Sequence, residues 1–285
     1  MRRNLGPIYT TPMALWITAF FVAPVCIIAV YSFCAKATYG GVVWRFSLDA
    51  YAALANKGLA AVALKTLLQS AAATVITLAL AVPASYYIAR SRYKNALLFL
   101  VIVPFWTNFL IRIYAWVAIL GTNGFINGFL VSAGLLSSPV QFLYNQYAVV
   151  TVLVYTYLPF AILPLYATIE KFDFSLIEAA QDLGATKYQS MVRVLLPNIK
   201  SGIITAVLFT FIPAFGQYAV PQLVGGRDSF MLGNVIAREL TVSRNLPLSS
   251  SISVALTLVT MAGVLLFVKF QAGAAQKVRP AREAV

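Results

Sequence analysis

The chain has 285 residues, of which 61% are hydrophobic and only 10% charged, with a formal net charge of +13. A soluble domain carries about 25% charged residues, so this composition excludes an ordinary soluble enzyme or regulator and predicts an integral membrane protein. Apolar runs of about 20 residues, without alternation of polar and apolar positions, predict helices rather than a barrel.

Arg2 and Arg3 open a short segment, residues 1–12, and the first apolar span follows at 13–34. That run is longer than a secretory h-region, and no small-x-small cleavage pattern follows it before Lys36, so it reads as a retained helix. Cys26 and Cys34 are the only cysteines. On one helix they would stand roughly 12 Å apart, too far to bridge, and they read as small packing residues. A polar segment at 35–65 leads to a second span at 66–88, a basic link at Arg90, Arg92 and Lys94, and a third span at 96–120. An uncharged Gly/Asn/Ser-rich loop at 121–146 precedes a fourth span at 147–169. After a polar island come a fifth span at 202–224, a polar loop at 225–248, a sixth span at 249–268 and a basic tail.

Six spans place both termini and the island on one side of the membrane. That side holds 13 of the 21 Lys and Arg, so the positive-inside rule makes it cytoplasmic. The positive charge therefore reports topology rather than nucleic-acid binding. The expected organisation is a cytoplasmic segment 1–12, a transmembrane domain 13–268 carrying a cytoplasmic loop 171–201, and a cytoplasmic tail 269–285.

The island at 175–202 is organised as two short helices. Ser175 with Glu178, and Thr186 with Gln189, have capping-box spacing. Gly184 between them suits a left-handed helix end, and Pro197, lacking an N–H, is expected to stop the second helix. Ala179 and Ala180 leave a low, smooth face on which another protein could approach the backbone. The alternative is a connector lying at headgroup level.

Glu178-Ala179-Ala180, then Gly184, then Val194-Leu195-Leu196-Pro197 resemble the EAA loop of the membrane subunits of binding-protein-dependent ABC importers. The one departure is Val194 where the pattern has Ile. The resemblance implies a type I importer permease, an all-α polytopic bundle of about six transmembrane helices. Its first loop helix would couple to an ATPase through Ser175, Glu178, Ala179, Ala180, Asp182, Gly184, Ala185 and Pro197.

A second set of residues is similar to polyamine permease subunits, those of spermidine/putrescine transport in particular. It comprises Pro104 to Trp116, Leu120-Gly121, Ile126-Asn127-Gly128, Tyr157 to Tyr166, and Phe211 to Gly216 through Gly226. A polyamine is a polycation with methylene segments, which aromatic faces can hold by cation–π attraction and apolar contact. Trp106, Tyr114, Tyr155, Tyr157, Phe215 and Tyr218 are candidate liners, with interfacial belts as the alternative. Asn108 and Gln217 are polar groups within apolar spans and are expected to face the bundle interior. No carboxylate falls within a span, and amides stand at Gln217 and Gln222 where many relatives carry an acid. Iron, thiamine and phosphonate permeases are therefore the alternative substrate classes. Arg112, the one basic residue well inside a span, is expected to snorkel or to pair with a polar neighbour.

The pattern Gly-x-x-x-x-Gly-Lys-[Ser/Thr] is absent, so the chain is not expected to hydrolyse ATP. The resemblance implies ATP and Mg in a homodimeric partner ATPase, a second related permease, an extracytoplasmic solute-binding protein and membrane lipid as partners, and no cofactor or metal on this chain. The implied location is the bacterial inner membrane. An ion-coupled secondary transporter would need intramembrane carboxylates and inverted repeats, and neither is visible. A scaffold without transport activity is the third class.

Overall fold

The computed structural model describes residues 6–276, with side-chain surroundings for 10–265. Arg2, Arg3, Lys277, Arg279 and Arg282, and the expected tail beyond residue 276, lie outside the described residues. Within them five helical stretches are long and apolar enough to cross a membrane: Thr10–Ser32, Lys57–Arg90, Phe109–Ser132, Gln146–Ile169 and Leu246–Leu265. A sixth forms if Lys187–Asn198 and Lys200–Phe215, bent by 74°, count as one span.

The chain divides into two compact units, one formed by the residues up to Ala63 with Leu232–Met261, the other by Leu64–Met231 with the residues from Ala262. The first unit opens with α1 (Gly6–Ile17), a π-helical turn (Thr18–Val22) and α2 (Ala23–Ser32). Cys34, expected on this helix, instead begins a strand. β1 (Cys34–Lys36) pairs antiparallel with β2 (Val42–Phe46), because Gly40 and Gly41 adopt φ +94° and +95° and turn the chain. A side chain at Gly40 would meet the Arg244 Cβ at 2.7 Å, and the Gly41 N–H donates to the Arg244 carbonyl at 3.0 Å. α3 (Asp49–Leu54) follows, and Ser251 Oγ donates to the Ala50 carbonyl at 3.4 Å. The loop expected at 225–248 contains α14 (Leu232–Thr241), and Asn245 caps α15 (Leu246–Gln276) by accepting from the Leu248 N–H at 3.3 Å. That last helix runs beyond the expected boundary at 268.

The second unit is built on α8 (Gln146–Ile169), where Val149, Val152, Leu153, Ala161, Leu165 and Ile169 are shielded almost completely. It packs most extensively with α12 (Lys200–Phe215), and Gly202 permits the approach: a Cβ there would lie 2.5 Å from Thr168 Oγ1. α4 (Lys57–Arg90) joins the same cores through small residues four apart, Ala73, Thr77, Ala81 and Ser85. The Ser85 hydroxyl donates to the Ile162 carbonyl at 3.1 Å. Small side chains let helix backbones come close where lipid supplies no hydrophobic drive to associate.

The third span expected at 96–120 is not one helix: the stretch long enough to cross a membrane starts at Phe109 and runs to Ser132, and Lys94–Trp106 is a shorter apolar helix before it. α5 (Lys94–Ile102) runs into a 3₁₀ turn (Val103–Trp106), Thr107 is extended, and α6 (Phe109–Leu120) starts afresh. Pro104 contributes no N–H, and the Asn108 side chain takes the Leu110 N–H at 2.8 Å, giving the backbone an alternative to helix. The loop expected at 121–146 contains α7 (Phe125–Ser132). Buried Asn127 donates to the Gly121 and Val140 carbonyls at 3.1 and 2.8 Å and accepts from the Val140 N–H at 2.8 Å, which clamps that loop shut. The fifth span is likewise shorter than expected. α12 ends at Phe215, three residues intervene, and α13 (Ala219–Val224) packs on α6 and α8.

Candidate functional site

Two regions of the second unit carry the residues singled out in the sequence. The first is the polar island. α9 (Ser175–Asp182) ends in a Schellman arrangement: Gly184, at φ +92°, donates to the Gln181 carbonyl at 2.9 Å, and Ala185 donates to Ala180 at 3.0 Å. Only the absence of a Cβ makes that conformation inexpensive. α10 (Lys187–Ser190) opens with the complete capping box. The Thr186 hydroxyl accepts from the Gln189 N–H at 3.2 Å, and Gln189 Oε1 accepts from the Thr186 N–H at 3.0 Å.

The other expected box does not form. Ser175 is already helical, and its N–H donates to Asp173 Oδ1 at 3.0 Å. An aspartate two residues upstream captures that donor, because an Asx turn needs no further rotation of the chain. Hydrogen bonds from Ser175 in turn hold the Asp173 carboxyl below its usual range. Pro197 does not end its helix either. Its missing N–H is absorbed upstream by a π-helical turn (Met191–Leu195), α11 (Leu196–Asn198) carries the helix on, and Asn198 Nδ2 donates to the Val194 carbonyl at 2.7 Å. The chain breaks one residue later, at Ile199, where it bends into α12.

The island's buried side roots it in the bundle. Ile177, Leu195 and Ile199 share one core with Ile88 of α4, Leu165 and Ile169 of α8 and Ala206 of α12. Phe174 anchors the start of α9, edge-on to Phe172 and Tyr86 and with the Arg90 guanidinium 5.2 Å from its ring centroid. Glu178, Ala179, Asp182 and Gly184 are exposed on the other side, beside Leu183, which is 91% exposed. A cleft of about 550 Å³ opens next to this helix, between Thr168, Lys171, Asp173, Leu176 and Asn198. An exposed knob rigidly seated on three long helices can transmit a push to all of them. Lys94 and Glu170 pair at 2.8 Å across the neck of the loop, and Lys94, then Tyr166, holds the Glu170 carboxyl below its ordinary value.

The second region is a seam where the two interrupted spans face α8. Gln217 is not inside a helix. Its Oε1 accepts from the Tyr218 and Ala219 N–H groups at 2.9 and 3.2 Å, capping α13, while Nε2 donates to the Tyr157 hydroxyl at 2.9 Å. Asn108 is likewise an exposed cap rather than an interior polar group. Both amides satisfy backbone N–H groups where a helix begins, at the ends of apolar stretches.

From Tyr157 the seam continues through Phe160 at 6.1 Å to Phe105 at 5.0 Å. Arg112 stands over Phe105 and Phe109, 5.5 and 5.9 Å from the ring centroids. The structure thus brings Tyr157 and Gln217 together, but Tyr157 is buried in the core, as is Phe215, which stacks on Phe211; neither is an open liner, and Tyr218 is half-exposed. Tyr155 packs edge-on to Trp116 at 5.3 Å. Trp106, edge-on to Phe99 at 5.6 Å, and Tyr114 are exposed and belong to neither cluster.

Sequence reasoning quoted Asn127 without assigning it a role and missed Gln69. Gln69 is buried on α4, lines a groove of about 510 Å³ with Gln146, Tyr147 and Thr151, and has an Oε1 without a partner among the described residues. A glutamine amid Ala, Leu and Ser on an apolar helix was the available signal.

Comparison with known proteins agrees with this architecture. The chain is 39% identical, over 90% of both chains, to the spermidine/putrescine transport system permease protein PotB of Haemophilus influenzae. To PotB of Escherichia coli it is 38% identical, over 90% of this chain and 94% of that one. The fold matches the crystal structure of a bacterial ABC transporter involved in the import of the acidic polysaccharide alginate, with a TM-score of 0.75, 97% of each chain covered and 17% identity. The profile of the binding-protein-dependent transport system inner membrane component family matches residues 58–280, and the chain belongs to that family.

Proposed function

We propose that this chain is one of two permease subunits of an ATP-driven polyamine importer and that it takes its stroke from a separate ATPase through α9. The observation that carries the substrate class is the 39% identity, across 90% of both chains, with a permease named for spermidine and putrescine. The seam supports the reading chemically. Phe160, which is exposed, and Phe105, which is half-buried, offer ring faces to methylenes and ammonium groups, whereas Tyr157 and Phe215 are buried.

In this proposal the ATPases close on ATP and Mg, and α9, seated in them through Glu178, Ala179 and Ala180, moves with them. The shared core of Ile177, Leu195 and Ile199 carries that movement into α4, α8 and α12. ATP shifts the bundle between inward-open and outward-open states through its differential affinity for the two. Both termini and the loop face the cytoplasm, and a related permease completes the path. A solute-binding protein delivers the polyamine from the opposite side. The amides at Gln217 and Gln222 favour a second reading, the same machine for another small solute, because no carboxylate stands there to pair with an ammonium.

Reconstitution tests both. The chain is assembled with its ATPase, sister permease and binding protein in liposomes, and labelled spermidine uptake is followed. ATP-dependent uptake that requires the binding protein is expected. Glu178→Ala with Gly184→Val should abolish the stimulation of ATPase by loaded binding protein while membrane insertion persists. Stimulation by iron-, thiamine- or phosphonate-loaded binding protein alone would overturn the substrate and leave the permease standing.

A further inference from the structure

The hairpin β1–β2 has no part in the loop or the seam, yet it presents some of the most exposed rings in the protein. Trp44 is 77% exposed, Phe46 74% and Tyr39 95%. Trp44 and Phe46 lie on one face of β2, since alternate residues of a strand point the same way.

Their depth is set by the first span. The hairpin begins at Cys34, two residues after the apolar stretch Thr10–Ser32 ends. It is folded back on that end: the Ser47 N–H donates to the Phe33 carbonyl at 2.8 Å, and Phe46 stacks on Phe33 at 6.0 Å and 7°. Trp44 meets Tyr31 edge-on at 6.0 Å. Tyr51 closes the cluster, 4.9 Å from Phe33, with its hydroxyl 2.8 Å from Ser32 Oγ. Trp44 and Phe46 are therefore held level with the last turn of a membrane span, within about one helical pitch of its end.

We propose that this aromatic face is an interfacial anchor seated in the phospholipid headgroup layer. Hydrocarbon does not fit it, because a two-stranded sheet leaves backbone N–H and C=O groups unpaired along its outer edges, which lipid chains cannot satisfy. Bulk water does not fit it either, because two large rings and their neighbours would stay wet. The headgroup layer accepts both, as it does for the Trp and Tyr belts of membrane proteins. Charge agrees: residues 34–46 carry exposed Lys36 and Arg45 and no acid, which suits phosphate. The anchor also reaches the end of the unit through Gly41 and Arg244, so it fixes the depth of the first span against the start of α15.

The test uses the complete transporter in liposomes whose lipids are brominated either near the carbonyl end or near the methyl end of the chain. Tryptophan emission is compared between the wild-type protein and Trp44→Phe, a change that keeps a ring against Tyr31. The difference isolates Trp44 from this chain's other three tryptophans and from those of the partner subunits. That difference signal should be quenched about twofold more by the shallow bromines than by the deep ones, with little quenching by aqueous iodide. Iodide quenching as strong as for a free tryptophan amide, with none from bromine, would overturn the proposal. So would shielding that arises only when the loaded binding protein is added, since the face would then be a protein dock. In a second arm, Lys36→Gln with Arg45→Gln should reduce the stabilisation conferred by anionic over zwitterionic lipid, read as the difference in Tm; an unchanged difference would remove the phosphate contacts from the proposal.

Discussion

The island and the seam use one device in two surroundings. At Thr186 a hydroxyl caps α10 on an exposed loop; at Gln217 and Asn108 amides cap α13 and α6 where spans are interrupted. In water, a lost cap is partly replaced by solvent, so the side chain adjusts a helix that would form anyway. In the seam Gln217 is half-buried and bonded to buried Tyr157, so water is a poorer substitute and the amide carries more of the cost of breaking the helix. The loop is an exposed surface held in shape by modest local preferences. The seam is a committed structure whose polar groups depend on one another.

The largest effect should come from Gln217→Leu, which strips the partner from two backbone N–H groups and from the Tyr157 hydroxyl. A loss of about 3 kcal/mol is expected, read as a shift in the unfolding midpoint of the protein in lipid nanodiscs. Asn108→Ala removes one such bond and should cost about 2 kcal/mol in the same measurement. Thr186→Ala should cost about 1 kcal/mol, and Gly184→Ala, which forces a Cβ into a left-handed conformation, about the same. The comparison breaks if Thr186→Ala destabilises as much as Gln217→Leu, because the surrounding medium would then not be what separates the two regions.

The smallest effect concerns Glu170. Its carboxyl is held below the ordinary value by Lys94 and then Tyr166, so the stabilisation is fully present above the unfolded value near 4.5 and is lost as the pH falls through the lowered folded value. The pair is exposed on both sides, so the change should be slight. Midpoints of wild-type protein and Glu170→Gln should converge as the medium is acidified below that range. A gap that persists at low pH would show that the glutamate acts other than as an anion.

What was legible follows the range of the interactions. Gly184 and the Thr186–Gln189 box depend on neighbours within a few residues, and the spacing alone located them. Ser175 has the spacing of a cap with Glu178 but does not form one, because Asp173, two residues earlier, takes the same donor and a spacing rule does not weigh competitors. Pro197 was expected to terminate a helix because its missing N–H is a local fact. Where that defect was absorbed, in the π-helical turn before it and the bend after it, depends on how Leu195 and Ile199 are buried together.

The sequence by itself determined that the chain is helical and membrane-embedded, where most of its spans lie, and that a polar loop with an Ala-Ala face separates two of them. Those are consequences of composition and of short-range periodicity, which the solvent reads directly. Only the tertiary structure decided that the third and fifth spans are interrupted, that Asn108 and Gln217 serve as caps, and that Tyr157, Phe160 and Phe105 join them into one seam. The Gln217 amide that satisfies the start of α13 is itself held by the Tyr157 hydroxyl, 60 residues away along the chain, and no short-range pattern specifies a partner at that distance.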